Sequence, residues 1–183
     1  MSTLLVGHSW VRRLRDLSIC PEEYEFVCKG GATFASISDD VERYFNRLGS
    51  RPKPKIIFVF LGSNDLDNLS GTAEVFQVTE SCSALCSLLR QVSPGSKLVF
   101  AQVEDRFTQN HLEDNDAMLS GFKAKSNKFN KWLNKWQGKD GVFIMKGRRG
   151  FSDASLYARD GIHLNFDGNV KLAERLRDFN LAY

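Results

Sequence analysis

Lys55-Ile56-Ile57-Phe58-Val59-Phe60-Leu61-Gly62 is the stretch on which the reading of the fold turns. Its apolar residues run on without alternation. An extended segment of that kind is buried on both faces, as in a parallel sheet covered by helices on each side. A polar cluster, Ser63-Asn64-Asp65, follows at once. Four further runs share this character: Thr3–Gly7, Tyr24–Cys28, Lys97–Val103 and Gly141–Lys146. Arg51-Pro52-Lys53-Pro54 reads as a stiff loop leading into the central run.

Helical patterns lie between these runs. Trp10–Leu17 is short. Phe34–Leu48 places Phe34, Ile37, Val41, Tyr44, Phe45 and Leu48 at three-to-four spacing, and Gly49 stops it. Thr72–Val92 carries Val75, Val78, Cys82, Leu85, Leu88 and Leu89 and ends at Ser-Pro-Gly. Asp116–Gln137 carries Leu119, Phe122, Phe129, Leu133 and Trp136. Asp167–Phe179 is the last helix, with Asp167 as its N-cap. The order βαβαβαβαβα predicts one α/β domain with a parallel sheet flanked by helices.

Composition narrows the class without naming an activity. The 183 residues suit a single core, and 42% hydrophobic with 26% charged residues is an ordinary globular balance. The net charge of +3 falls short of an electrostatically dominated nucleic-acid binder. Mean hydropathy is −0.31, and no run of about 20 apolar residues could span a membrane. No signal peptide is visible, so an intracellular, cytoplasmic protein is expected. Four cysteines are too few for a disulfide scaffold. Cys82 and Cys86 resemble half a metal site but lack a second pair, and Glu113-Asp114-Asn115-Asp116 lacks the full calcium-loop pattern. Neither a metal nor a cofactor is expected.

In open α/β sheets ligands bind beyond the C-terminal ends of the strands. In this chain the strands are followed in turn by Gly7-His8-Ser9-Trp10, Lys29-Gly30-Gly31-Ala32-Thr33, Leu61-Gly62-Ser63-Asn64-Asp65, Glu104-Asp105-Arg106, and a loop leading to Asp160-Gly161-Ile162-His163. These are the parts needed for acyl transfer. Ser9 would open the first helix as nucleophile, His163 would be its base, and Asp160 would orient the imidazole. The N–H groups of Ser9 and Gly31 and the amide of Asn64 would receive the oxyanion. Each set also has a plainer reading. Ser9 could be an N-cap, Gly30-Gly31 a strand-ending turn, Asn64-Asp65 an Asx turn, Asp160-Gly161 a turn, and His163 a half-buried histidine. His8, next to Ser9, is expected to turn its ring away from the hydroxyl.

The succession Gly7-His8-Ser9, Gly31, Gly62-Ser63-Asn64-Asp65 and Asp160-Gly161-Ile162-His163 resembles the SGNH, or GDSL-type, hydrolases. The resemblance runs through nearly the whole chain. It implies a flavodoxin-like three-layer α/β/α sandwich with strand order 2-1-3-4-5 and metal-independent ester hydrolysis. His8 departs from the pattern, because an aspartate usually precedes the serine in that family. The segment L-V-G-H-S-W-V-R-R-L (Leu5–Leu14) further resembles the esterase domain of the first open reading frame of LINE-type retrotransposons. That likeness implies that residues 1–183 form a single domain cut from a longer polypeptide, with other domains beside it.

Two basic features complete the reading. Lys123, Lys125, Lys128, Lys131, Lys135 and Lys139 occur with no acid between them, interleaved with Phe129, Trp132 and Trp136. They fit a solvated helix face or a surface for RNA or an anionic membrane. In the second case the domain could be a non-catalytic binding module. Arg148 and Arg149 follow the last strand and are candidates for the mouth of the site, where a lipid or another small ester would enter.

Overall fold

All five residues of Ile56–Phe60 (β3) are buried, as are all five of Thr3–Gly7 (β1), and these strands lie side by side at the centre of the sheet. In the computed structural model, which describes residues 2–107, 115–147 and 151–182, Tyr24–Cys28 (β2), Lys97–Ala101 (β4) and Val142–Met145 (β5) complete the sheet. The order is β2-β1-β3-β4-β5 and every pairing is parallel. Register aligns Gly7 with Phe60 and with Cys28, so the segments that follow these strands leave the sheet at one edge.

Alternation along each strand divides the core in two. Leu4, Val6, Ile57, Val59, Leu98 and Phe100 face helices Ser38–Leu48 (α2), Val75–Val92 (α4) and Asn115–Leu133 (α5). Leu5, Phe58, Phe60 and Val99 face Ser9–Leu17 (α1) and Phe166–Ala182 (α6). The architecture is therefore the expected α/β/α sandwich. Both faces of β3 are apolar because both are covered, and each buried Phe or Ile contributes roughly 1.5–3 kcal/mol. The edge strand β2 is less strictly apolar, and its Glu25, Phe26 and Cys28 are only half-buried.

The structure moves several boundaries. Helix α2 begins at Ser38, not Phe34. Residues 33–36 are held instead by reciprocal bonds, Thr33 N–H to Ser36 Oγ at 2.9 Å and Ser36 N–H to Thr33 Oγ1 at 3.1 Å. A five-residue helix, Ser63–Asp67 (α3), adds to the expected elements and is too short to give a periodic signal in the sequence. Helix α6 is entered through Asn165, whose Oδ1 accepts the N–H of Gly168 at 3.0 Å, so Asp167 lies within the first turn and is not the cap. In α5, Phe122, Phe129 and Leu133 join the core while Lys123, Lys128 and Lys131 stay exposed. Lys125 and Lys128 donate to the carbonyls of Leu69 and Thr72. Among the described residues no helix is long and apolar enough to cross a membrane.

Candidate active site

The turn from β1 into α1 is tight. A Cβ on Gly7 would lie 2.6 Å from Val11 Cγ2 and 2.7 Å from the carbonyl oxygen of Phe60, so this position excludes a side chain. His8 N–H donates to that same carbonyl at 3.2 Å. His8, not Ser9, is the N-cap, and its Nδ1 accepts the N–H of Trp10 at 3.3 Å. Ser9 is the first residue of the helix, where a backbone N–H has no carbonyl partner within the helix and the helix dipole favours negative charge. The His8 ring does not turn away: Nδ1 lies 3.5 Å from Ser9 Oγ. Accepting the cap bond draws the ring back over the first turn. Burial, followed by the charges of His163 and Arg106, lowers the pKa of His8 to about 4.

Gly31 has φ +70, which favours glycine, and it brings its loop to the cavity edge. Opposite it, Gly62 at φ +102 starts α3, and a Cβ there would meet Val103 Cγ2 at 2.8 Å. Asn64 Nδ2 donates to Ala32 O at 2.8 Å, and Asp65 Oδ1 accepts the N–H of Phe34 at 3.0 Å. Asn64 and Asp65 therefore strap α3 to the Gly31 loop and do not form a local Asx turn. The strap ties the Asn64 amide down at the cavity wall. Burial raises the Asp65 carboxyl to about 6 against the hydrogen bonds it accepts from the backbone.

The C-terminal loop is self-bracing. Asp160 Oδ1 accepts the N–H groups of Ile162 and His163, each at 2.9 Å, and Oδ2 lies 2.6 Å from His163 Nδ1. Burial pushes the Asp160 carboxyl up, but the bonds from His163 and Ile162 outweigh it and bring the pKa to about 2. An ionised carboxylate accepts a hydrogen bond from Nδ1–H, which leaves the free lone pair of the His163 ring on Nε2. Gly161, at φ +62, allows the loop to press on Phe107, whose carbonyl oxygen would be 2.0 Å from an added Cβ.

Two bonds join this loop to α1. Trp10 Nε1 donates to Ile162 O at 3.1 Å and Arg13 Nη1 donates to Leu164 O at 2.9 Å. The indole also packs against Phe151 and Tyr157. As a result Ser9, Gly31, Asn64 and His163 line one cavity of about 320 Å³, with Asp160 bonded to the histidine. Arg106 forms part of the same wall. It bonds Asp67 at 2.7 Å and Ser63 at 3.2 Å and lies 4.0 Å from the centre of the Phe122 ring. Trp10, Arg13 and Arg106 carry no local signal in the sequence, because their partners are remote in the chain. Arg148, Arg149, Glu113 and Asp114 lie outside the described residues. Among the described residues no three His, Cys, Asp or Glu side chains gather as metal ligands.

By sequence, no family model matches the chain and no curated protein matches it. Solved structures match it over nearly its full length. A carbohydrate acetylesterase from Sinorhizobium meliloti superposes with a TM-score of 0.71 at 14% identity, covering 100% of this chain and 99% of that one. A GDSL-like lipase from Bacteroides thetaiotaomicron gives 0.69 at 13% identity, covering 97% and 86%. An aryl esterase from M. smegmatis gives 0.67 at 13% identity, covering 97% and 99%. The class defined is thus the SGNH-hydrolase fold, with strand order 2-1-3-4-5. At these identities the likeness is one of fold, and the chemistry rests on the residues above.

Proposed function

We propose that the protein is a serine esterase that hydrolyses small acyl esters, acetyl esters foremost. The observation that carries this reading is the short Asp160–His163 contact of 2.6 Å beside a cavity that also receives Ser9, at the N-terminus of α1. Ser9 Oγ attacks the ester carbonyl as its proton passes to His163 Nε2. The oxyanion is met by the N–H groups of Ser9 and Gly31 and the amide of Asn64. The intermediate collapses, the C–O bond to the alcohol breaks, and His163 returns the proton to the leaving oxygen. Water, deprotonated by His163, then attacks the acyl-serine and releases the carboxylic acid and Ser9.

The modest cavity supports a short acyl group, and the fold neighbours include an acetylesterase. The likeness of Leu5–Leu14 to retrotransposon esterase domains supports a setting within a retrotransposon-encoded protein, in which other domains and a cytoplasmic site of action are expected. Treatment with a fluorophosphonate probe tests the reading. Labelling at Ser9, with p-nitrophenyl acetate turnover lost in S9A and falling with acyl length, is the expected result. Absence of labelling, together with salt-sensitive binding to RNA or anionic vesicles through Lys123, Lys128, Lys131 and Lys135, would replace it with a non-catalytic binding module.

A further inference from the structure

We propose that His8 is a positioning residue that caps the nucleophile helix with an uncharged acceptor, and so extends hydrolysis to lower pH than an acidic cap would allow. The inference rests on the esterase reading of the site. It begins from a bond that only one form of the ring can make. His8 Nδ1 accepts the N–H of Trp10 at 3.3 Å and lies 3.5 Å from Ser9 Oγ. The cap bond from Trp10 N–H needs the lone pair on Nδ1, so the proton belongs on Nε2. Protonating the ring would turn an N–H toward the N–H of Trp10 and remove the cap.

The surroundings oppose that protonation. His8 is buried at 8% exposure, which opposes a charge on the ring, and a positive charge there would also face Arg106 from the segment after β4 and any charge that His163 of the C-terminal loop takes up in the reaction. The other charged groups lining the cavity are Arg12 on α1, Asp67 on α3, and Glu104 and Asp105 after β4. Asp67 is bonded to Arg106, and Asp105 lies 4.0 Å from Lys123.

An aspartate would satisfy the same cap, since its carboxylate accepts first-turn N–H groups readily. Capping alone therefore does not account for a histidine. What differs is charge. A carboxylate at position 8 would favour the protonated, inactive form of His163 and would repel the oxyanion gathering at Ser9 N–H. A neutral imidazole caps the helix without either effect.

The test compares pH profiles of kcat/KM for p-nitrophenyl acetate in the intact chain, H8D and H8N. Asparagine keeps an uncharged acceptor. The acid limb is expected to move up by on the order of 1 pH unit in H8D and to stay in place in H8N, whatever the change in kcat. An unmoved limb in H8D, or the same displacement in both variants, overturns the proposal. Should H8D fail to fold by circular dichroism, nitrogen NMR of His8 in the unmodified protein decides. The neutral Nε2–H tautomer at pH 6 is expected, and a protonated ring or the Nδ1–H tautomer overturns the proposal. An unmodified protein without turnover and without labelling at Ser9 marks failure of the esterase reading itself, a result distinct from any of these.

Discussion

The indole Nε1 of Trp10 donates to the backbone carbonyl of Ile162 at 3.1 Å, across 152 residues of sequence. This bond links the residue after Ser9 to the residue before His163. It sets the spacing of the proposed nucleophile and base more directly than any contact within either motif. W10F keeps most of the packing against Phe151 and Tyr157 and removes only the N–H. It should lower kcat for p-nitrophenyl acetate about tenfold or more with little change in KM, and cost ~0.5–1.5 kcal/mol in urea unfolding. An unchanged kcat would show that Arg13 and the loop's own bonds hold His163 in place without it.

Asp160 braces the loop through two backbone bonds and orients His163 through a third. D160N can still accept the backbone N–H groups through its carbonyl oxygen, but an uncharged amide no longer dictates which imidazole nitrogen carries the proton. kcat should fall by roughly 10³–10⁴, while thermal unfolding shows the fold retained. A full-rate D160N enzyme would remove Asp160 from the mechanism.

Asn64 is tied to Ala32 O by one amide hydrogen, and the proposed mechanism assigns the other to the oxyanion. N64A should cost roughly 10²–10³ in kcat, as expected for one lost oxyanion donor. N64D keeps the shape while losing the donor, and should be at least as damaging because it faces the oxyanion with negative charge. Single-turnover acylation rates would place the loss in the chemical step.

Asp65 should make stability depend on pH in the opposite sense to an ordinary ion-paired carboxylate. Burial raises its folded-state pKa to about 6, above the ~3.9 of an unfolded chain. Between those values the native state holds a proton that the unfolded state has lost, so this group's contribution to stability falls as pH rises from 4 to 6. Relative to D65N, the unmodified protein should gain ~1–3 kcal/mol in urea unfolding between pH 7 and pH 4. A difference that does not vary with pH would refute this account of the carboxyl.

Much of this was legible in the chain. Ile56–Phe60 and Thr3–Gly7 announce buried parallel strands because a sheet covered on both faces asks for apolar residues at every position. Gly7, Gly31, Gly62 and Gly161 stand beside the polar residues of their motifs because the backbone there is crowded or left-handed. Local competition for backbone N–H groups moves the helix starts. Phe34 has helical spacing, but its N–H is captured by Asp65, so α2 starts four residues later. Asp167 is a sound cap by type, but Asn165 reaches the first-turn N–H before it.

The sequence by itself determined the strands, their alternation with helices, and which reactive side chains follow which strand. These are properties of hydrophobic periodicity and local backbone freedom, and they are written in neighbouring residues. The tertiary structure alone decided which of those side chains meet. Packing α1 and α6 on one face of the sheet brings Trp10 and Arg13 to the carbonyls of Ile162 and Leu164. The strap between α3 and the Gly31 loop takes Asn64 and Asp65 out of a local turn and holds Asn64 at the cavity wall. The cap bond folds His8 back toward Ser9. Hydrogen bonds are short and directional, so partners remote in sequence are specified only once the sheet has set the distance between them.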